Sequence, residues 1–134
     1  MEIAEIEQVV KPILARELTT SVRIPIVAVL GNHDYESNQS QDVCQILTDA
    51  NVKVLDGEAV EIAGVGIAGV KGFAGGFGRG TLGGWGEPGV KAFVQVALDE
   101  ALKLESALAR LRTPQRVALL HYSPVRDTVD GEIA

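Results

Sequence analysis

The sequence predicts an α/β domain, because apolar segments of strand length alternate with amphipathic segments of helix length. The clearest strand, Ile24–Leu30, is rich in β-branched residues and apolar on both faces, as is typical of a parallel strand covered from both sides. The clearest helix, Val90–Arg112, carries one apolar stripe at helical spacing. We therefore expect a mixed sheet with flanking helices, in one domain spanning residues 1–134.

Composition narrows the possible partners and compartments. The 134 residues carry a net charge of −6 and no run of basic residues, which argues against a nucleic-acid partner. The single cysteine, Cys44, excludes an intramolecular disulfide and favours a reducing, cytoplasmic setting. The acidic amino terminus does not resemble a signal peptide, and no apolar segment is long enough to span a bilayer, so we expect no membrane association.

The first half of the chain alternates helix and strand. Glu2–Leu18 has apolar residues at helical spacing, with Pro12 expected to kink or split the helix. Thr19–Ser21 is predicted to connect this helix to the strand Ile24–Leu30. After the polar residues that end the strand, Tyr35–Ser40 is predicted as a loop, and Gln41–Ala50 as a helix.

The middle of the chain indicates short strands. Val52–Leu55 is predicted as a strand that ends at Asp56-Gly57, a dipeptide that favours a type I′ hairpin turn. Ala59–Ala63 and Val65–Val70 are predicted as the next two strands. This region should therefore be a locally antiparallel or mixed part of the sheet.

Half the residues of the segment Gly72–Gly89 are glycine, which is incompatible with a stable helix or strand. We predict a long loop of the kind that binds ligands or closes over them. Its Arg79 and Trp85 are candidates for contact with a substrate phosphate or base, although exposed loop residues without a role are more common. The helix Val90–Arg112 follows, and then the buried strand Arg116–Leu120.

Two predicted strands end in residues that can carry chemistry. Gly31-Asn32-His33-Asp34 follows Leu30, and His121 follows Leu120; His33 and His121 are the only histidines in the sequence. Ligands of open α/β sheets bind at the carboxyl ends of the strands. If both strands run parallel, the two groups of residues share one edge and form one site. Imidazole and amide or carboxylate oxygens are suited to Mn, Fe or Zn, and two-metal hydrolases use such ions for in-line attack on phosphoesters.

The Gly31-Asn32-His33-Asp34 block after an apolar strand resembles the Gly-Asn-His-Asp/Glu block of the calcineurin-like metallophosphoesterases. The resemblance implies that Asn32 is an amide ligand of a metal and that His121 ligates the same metal. It implies that His33 binds phosphate and acts as general acid, with Asp34 as its partner. It also implies a phosphoester substrate, bound divalent Mn, Fe or Zn, and a fold that is part of an α/β/β/α sandwich.

Three blocks of that family are missing from this sequence: Asp-x-His, Gly-Asp-x-x-Asp and Gly-His-x-His. The resemblance therefore covers the middle of the family's domain, and the domain is expected to be incomplete. With Asn32 and His121 as the remaining ligands, we expect weak or absent metal binding by this chain alone. A strand such as Ile24–Leu30 expects neighbours on both sides, so exposed strand edges should recruit other copies and produce a homo-oligomer.

Three interpretations remain open from the sequence. The chain is a metal-dependent phosphoester hydrolase that is weakly active or inactive as it stands, a non-catalytic oligomerising or interaction module that retains part of the fold, or an unrelated α/β domain. Two glycine patterns, Gly64–Gly69 and Gly78–Gly83, match a dinucleotide-binding motif but do not lie between a strand and the helix it precedes. Bends and close packing explain those glycines better.

Overall fold

A computed structural model of the chain describes residues 12–13, 16–17 and 20–131. Most of the predicted helix Glu2–Leu18 lies outside the described residues, including residues 1–11, in which a kink caused by Pro12 would show. The four of its residues that are described are helical. Thr20 and Ser21 are also helical, so the connector predicted at Thr19–Ser21 is wrong at these two positions.

The protein is mixed α/β, with two sheets and flanking helices. In chain order its elements are β1 (Ile26–Ala28), α1 (Asn32–Glu36), α2 (Ser40–Asp49), β2 (Val52–Val54), β3 (Glu58–Ile62), β4 (Val65–Val70), α3 (Pro88–Arg110) and β5 (Gln115–Leu120), with single turns of 3₁₀ helix at Gly78–Gly80 and Arg126–Thr128. Among the described helices, none combines the length and the apolar character that crossing a membrane requires.

The five strands form two sheets rather than one. Strands β1 and β2 pair in parallel, with Ile26 opposite Val52. Strand β4 is the centre of the second sheet, antiparallel to β3 and parallel to β5. Strand β1 is shorter than the predicted Ile24–Leu30. It begins after Pro25, which has no backbone N–H to donate to a ladder.

The hairpin of the second sheet turns at Ala63-Gly64, between β3 and β4, and not at Asp56-Gly57. Ala63 and Gly64 have φ angles of 50° and 81°, the two positive values that a type I′ turn requires. At the predicted position only Gly57 has a positive φ, and the strands on either side of it belong to different sheets. The hairpin prediction at Asp56-Gly57 is therefore wrong.

Small residues of β4 let other elements approach both faces of the second sheet. On one face, Ala68 is fully buried in a cluster with Ala107 and Leu111 at the end of α3. On the other face, a β-carbon added to Gly69 would lie 2.7 Å from Cβ of Leu55 and 2.8 Å from Cγ1 of Val29. Leu55 and Val29 directly follow β2 and β1, so the two sheets stack against each other here.

Helix α3 packs on the second sheet through its carboxyl-terminal half. Leu104 and Leu108 join the buried cluster, as the apolar stripe predicts. Toward the amino terminus the stripe extends past the sheet, and Leu98 and Phe93 are 53% and 38% exposed. The predicted stripe is thus correct in position but only partly covered.

The stacking at Gly69 generates the first testable expectation. In the variant Gly69→Ala the new methyl group would overlap Leu55 and Val29, so we expect the free energy of unfolding to fall by about 1–3 kcal/mol. Urea unfolding followed by circular dichroism measures this change. Gly89→Ala is the matched control, because a β-carbon at Gly89 meets no atom within 4 Å. Equal stability of the two variants would contradict close stacking.

Candidate functional site

The residues after β1 fold into the short helix α1, where a loop was predicted at Tyr35 and Glu36. Asp34 explains why a helix forms here. Its Oδ2 atom accepts a hydrogen bond of 2.8 Å from the backbone N–H of Gly31 and so closes the first turn. The loop prediction is therefore wrong at these residues, and the polar block begins a helix that projects from the end of β1.

The structure brings Asn32 and His121 into contact. Nε2 of His121 lies 2.8 Å from Oδ1 of Asn32. Because an amide oxygen only accepts hydrogen bonds, Nε2 carries the proton in this arrangement. The amide orientation has independent support, since Nδ2 of Asn32 donates to Oε1 of Glu36 at 2.9 Å. The two residues lie 89 positions apart in sequence and follow strands of different sheets.

His33 lies beside this pair but faces solvent. Its side chain is 90% exposed, and its Nδ1 atom lies 3.6 Å from Oε2 of Glu36. The resemblance gave Asp34 as the partner of His33, whereas the structure directs the Asp34 carboxylate to the Gly31 N–H. The carboxylate that forms an ion pair with protonated His33 is that of Glu36.

His121 is held on three sides. Its ring packs against Gly31, where a β-carbon would lie 2.9 Å from Cε1 of the imidazole. The ring of Tyr122 meets it edge to face, with centroids 5.5 Å apart. The backbone N–H groups of His121 and Tyr122 both donate to the carbonyl oxygen of Lys71, at 3.1 and 2.9 Å. The absence of a side chain at Gly31 therefore lets the imidazole reach Asn32.

The separation of Asn32 and His121 is that of a hydrogen bond and is slightly below the spacing of two neighbouring metal ligands. Ligands at about 2.1 Å from a metal, at angles between octahedral and tetrahedral, lie roughly 3.0–3.4 Å apart. The observed 2.8 Å is slightly shorter because the two atoms share a hydrogen bond. Within the described part of the chain, no group of three or more His, Cys, Asp or Glu side chains is arranged to hold a metal. The pair thus consists of an amide oxygen and an imidazole nitrogen, two kinds of atom that bind divalent metals, joined here by a hydrogen bond.

A cavity of about 700 Å³ opens next to His121. Its walls come from the glycine-rich segment, from the uncovered part of the α3 stripe and from the residues after β5, including Phe73, Phe77, Leu82, Leu98, His121 and Tyr122. The volume falls in the range of small-molecule sites. Trp85, a candidate substrate contact in the sequence, is 80% exposed and is not among the lining residues.

A buried carboxylate fixes the start of the glycine-rich segment. Oε2 of Glu100 accepts a hydrogen bond of 2.9 Å from the Gly72 N–H, and Oε1 accepts one of 2.7 Å from Nζ of Lys103. Burial lowers the pKa of Lys103, but its hydrogen bonds to Glu100 and Asp56 outweigh this and raise the pKa overall. Burial also raises the pKa of the Tyr35 hydroxyl. Both groups therefore stay protonated at neutral pH.

Sequence reasoning missed two residues of this region. Glu36 contacts both Asn32 and His33, and its i+4 and i+3 spacing would have indicated this if a helix had been predicted. Lys71 lies behind the pair and is only 8% exposed. A lysine that follows an apolar strand gives no sequence signal of burial.

Comparison of the chain with protein-family models, with curated proteins and with solved structures found no match.

The contact between Gly31 and His121 generates the second testable expectation. Gly31→Ala should displace the imidazole from Asn32, because the new methyl group would overlap Cε1. Since a neutral hydrogen bond contributes ~1 kcal/mol, exchange of the Nε2 proton with water should become at least about fivefold faster. Nitrogen-15 NMR of the labelled imidazole measures this rate. Gly75→Ala is the control, because a β-carbon at Gly75 meets no atom within 4 Å. If the exchange rate in Gly31→Ala is as low as in the unmodified protein, the contact between Gly31 and His121 is refuted.

Proposed function

We propose that this chain carries part of the active site of a metal-dependent phosphoester hydrolase of the calcineurin-like kind, acting on a phosphomonoester or phosphodiester. The observation that supports this most strongly is the meeting of Asn32 Oδ1 and His121 Nε2 at 2.8 Å. The family resemblance implies the same two residues as ligands of one metal. The proposal also places the protein in a reducing compartment, the cytoplasm.

In this proposal, Asn32 and His121 hold one divalent cation, Mn, Fe or Zn. A bound cation polarises a phosphoryl oxygen and lowers the pKa of bound water. At His121 it would take the place of the proton on Nε2, and the neutral ring would then carry its proton on Nδ1. Two ligands on the described residues make this a weak site.

His33 is the proposed general acid. Its ring is 90% exposed at the start of α1, where a substrate can reach it. Oε2 of Glu36 lies 3.6 Å from Nδ1 of this ring, and a protonated imidazole at this position can give a proton to the leaving oxygen. Asp34 contributes by closing the turn of α1 that presents His33. His33 thus keeps the role that the resemblance implies, whereas the carboxylate beside its imidazole is that of Glu36, and Asp34 acts through the turn of α1.

The proposal extends to the fold and the substrate. Helix α2 contacts β2, the two sheets stack at Gly69, and α3 covers the far face of β4, an order that supports part of an α/β/β/α sandwich. The cavity beside His121 has mostly apolar walls. It would accept the apolar part of a phosphoester whose phosphate lies at Asn32 and His33.

An assay of the 134-residue chain tests this function. With bis-p-nitrophenyl phosphate and Mn²⁺ we expect slow, metal-dependent hydrolysis. His121→Ala should reduce the metal-dependent rate by about 10–100-fold, as loss of metal-site support does. His33→Ala should reduce it by about 10²-fold or more at saturating metal, because proton transfer is lost. Glu105→Gln, on the exposed side of α3, is the control.

A second readout does not depend on turnover. Substoichiometric Mn²⁺ should broaden the NMR signals of Asn32 and His121 first, because the ion is paramagnetic. Two results would show that Asn32 and His121 are not the metal site. One is broadening of NMR signals centred on other residues, and the other is hydrolysis that persists without metal and in both histidine variants.

The second candidate function is that of an oligomerising interaction module. Strand β5 is an edge of the described three-stranded sheet, and its Val117 is 46% exposed. Ile24, just before β1, is 73% exposed. Such edges favour pairing with other chains.

Light scattering tests this alternative and the expected homo-oligomer. At high concentration the chain should be dimeric or larger, and Val117→Lys should shift it to monomer, because a charge on an edge strand opposes pairing. Leu102→Lys, at a residue 57% exposed on α3, is the matched control and should leave the assembly unchanged. If the unmodified chain is monomeric at high concentration, the function of an oligomerising interaction module is excluded.

A further inference from the structure

Behind the Asn32–His121 pair, three aromatic rings surround the ammonium group of Lys71. Nζ lies 4.8 Å from the ring centroid of Phe73 and 5.1 Å from the centroids of Tyr35 and Tyr122. It also donates a hydrogen bond of 2.8 Å to the carbonyl oxygen of Gly72. The residue is 8% exposed, and none of the ion pairs between described residues involves it.

A buried ammonium without a carboxylate partner needs another source of negative potential, since desolvation of a charge is costly. The faces of aromatic rings provide it, and a cation within about 6 Å of a centroid is attracted to the ring. Two of these rings also contact each other, with 5.9 Å between the centroids of Phe73 and Tyr122, and Phe73 packs in addition against Phe93 of α3 at 4.9 Å. The ammonium is therefore flanked by three ring faces, two of which are held against each other.

The rings come from separate segments of the chain. Tyr35 belongs to α1, the helix that begins with Asn32, and Tyr122 directly follows His121. Phe73 is the second residue of the glycine-rich segment. The cation therefore attracts both segments that carry the pair, while touching neither member of it.

The backbone of Lys71 acts on one of the same segments. Its carbonyl oxygen accepts hydrogen bonds from the N–H groups of both His121 and Tyr122. The backbone of Lys71 thus fixes the end of β5 through hydrogen bonds, whereas its side chain connects to α1 through the ring of Tyr35.

We propose that Lys71 is a positioning residue: its ammonium group, through the rings of Tyr35 and Tyr122, holds α1 and the end of β5 together so that Asn32 and His121 stay within hydrogen-bonding distance. This role concerns the geometry of the pair and does not depend on phosphoester hydrolysis. The alternative is a general packing role, in which loss of Lys71 weakens the whole fold without moving the pair.

NMR distinguishes the two roles in the full chain. A β-carbon at Gly31 would lie 2.9 Å from Cε1 of His121, so the Gly31 α-proton and the His121 ε1-proton are close enough for a strong nuclear Overhauser effect. Lys71→Met shortens the unbranched side chain by one atom and removes the charge. We expect it to weaken this signal at least fivefold while the amide of Ala68, in the buried cluster, stays protected from exchange. Lys71→Arg, which keeps a cation, should retain the signal.

If changes at Lys71 prevent folding, a pair of variants at Tyr35 distinguishes the positioning role from the packing role. Tyr35 is 37% exposed and tolerates change better than a buried residue. Tyr35→Leu removes the ring and should weaken the same signal, whereas Tyr35→Phe keeps the ring and should not. An unchanged signal in Lys71→Met or in Tyr35→Leu would overturn the proposal, as would equal loss in Tyr35→Leu and Tyr35→Phe.

Discussion

The stacking of the two sheets at Gly69 determines where the candidate site lies. Because β4 has no side chain at this position, Leu55 and Val29 approach its backbone closely, and the first sheet lies directly on the second. The end of β1 is thereby brought to the end of β5. A larger residue at position 69 would separate the sheets and, with them, Asn32 and His121. The position of the site therefore depends first on how the two sheets pack, and only then on the hydrogen bonds within the site.

The sequence predicted the elements better than their arrangement. Helix α2, helix α3 and strand β5 lie within two residues of their predicted bounds, because apolar periodicity reports directly on local structure. Periodicity carries no information on which sheet a strand joins, so two layers of sheet were implied only by the family resemblance, and the assignment of each strand to its sheet was not predicted. The hairpin was misplaced for a local reason. Ala63 adopts a φ of 50°, which alanine rarely does, so Ala63-Gly64 gave a weaker turn signal than Asp56-Gly57.

The same distinction applies to the site. Asn32 and His121 were foreseen as ligands of one metal, and they lie together although their strands belong to different sheets. The contact partners were not foreseen, because each depends on structure that the pattern did not show. Glu36 acquires its role from the unpredicted helix α1, and Lys71 from rings contributed by three segments. Residue types in the sequence indicated which side chains belong to the candidate site. The residues that contact and position them follow from the tertiary structure.

The position of Trp85 has a consequence for spectroscopy. It is the only tryptophan of the chain, it lies in the glycine-rich segment, it is 80% exposed, and it is not part of the buried cluster around Ala68. An indole in water emits at long wavelength whether the core around it is folded or not. Intrinsic fluorescence of this protein therefore reports on the glycine-rich segment and is nearly blind to global unfolding. That separation makes Trp85 a natural reporter of anything that binds beneath the segment and orders it.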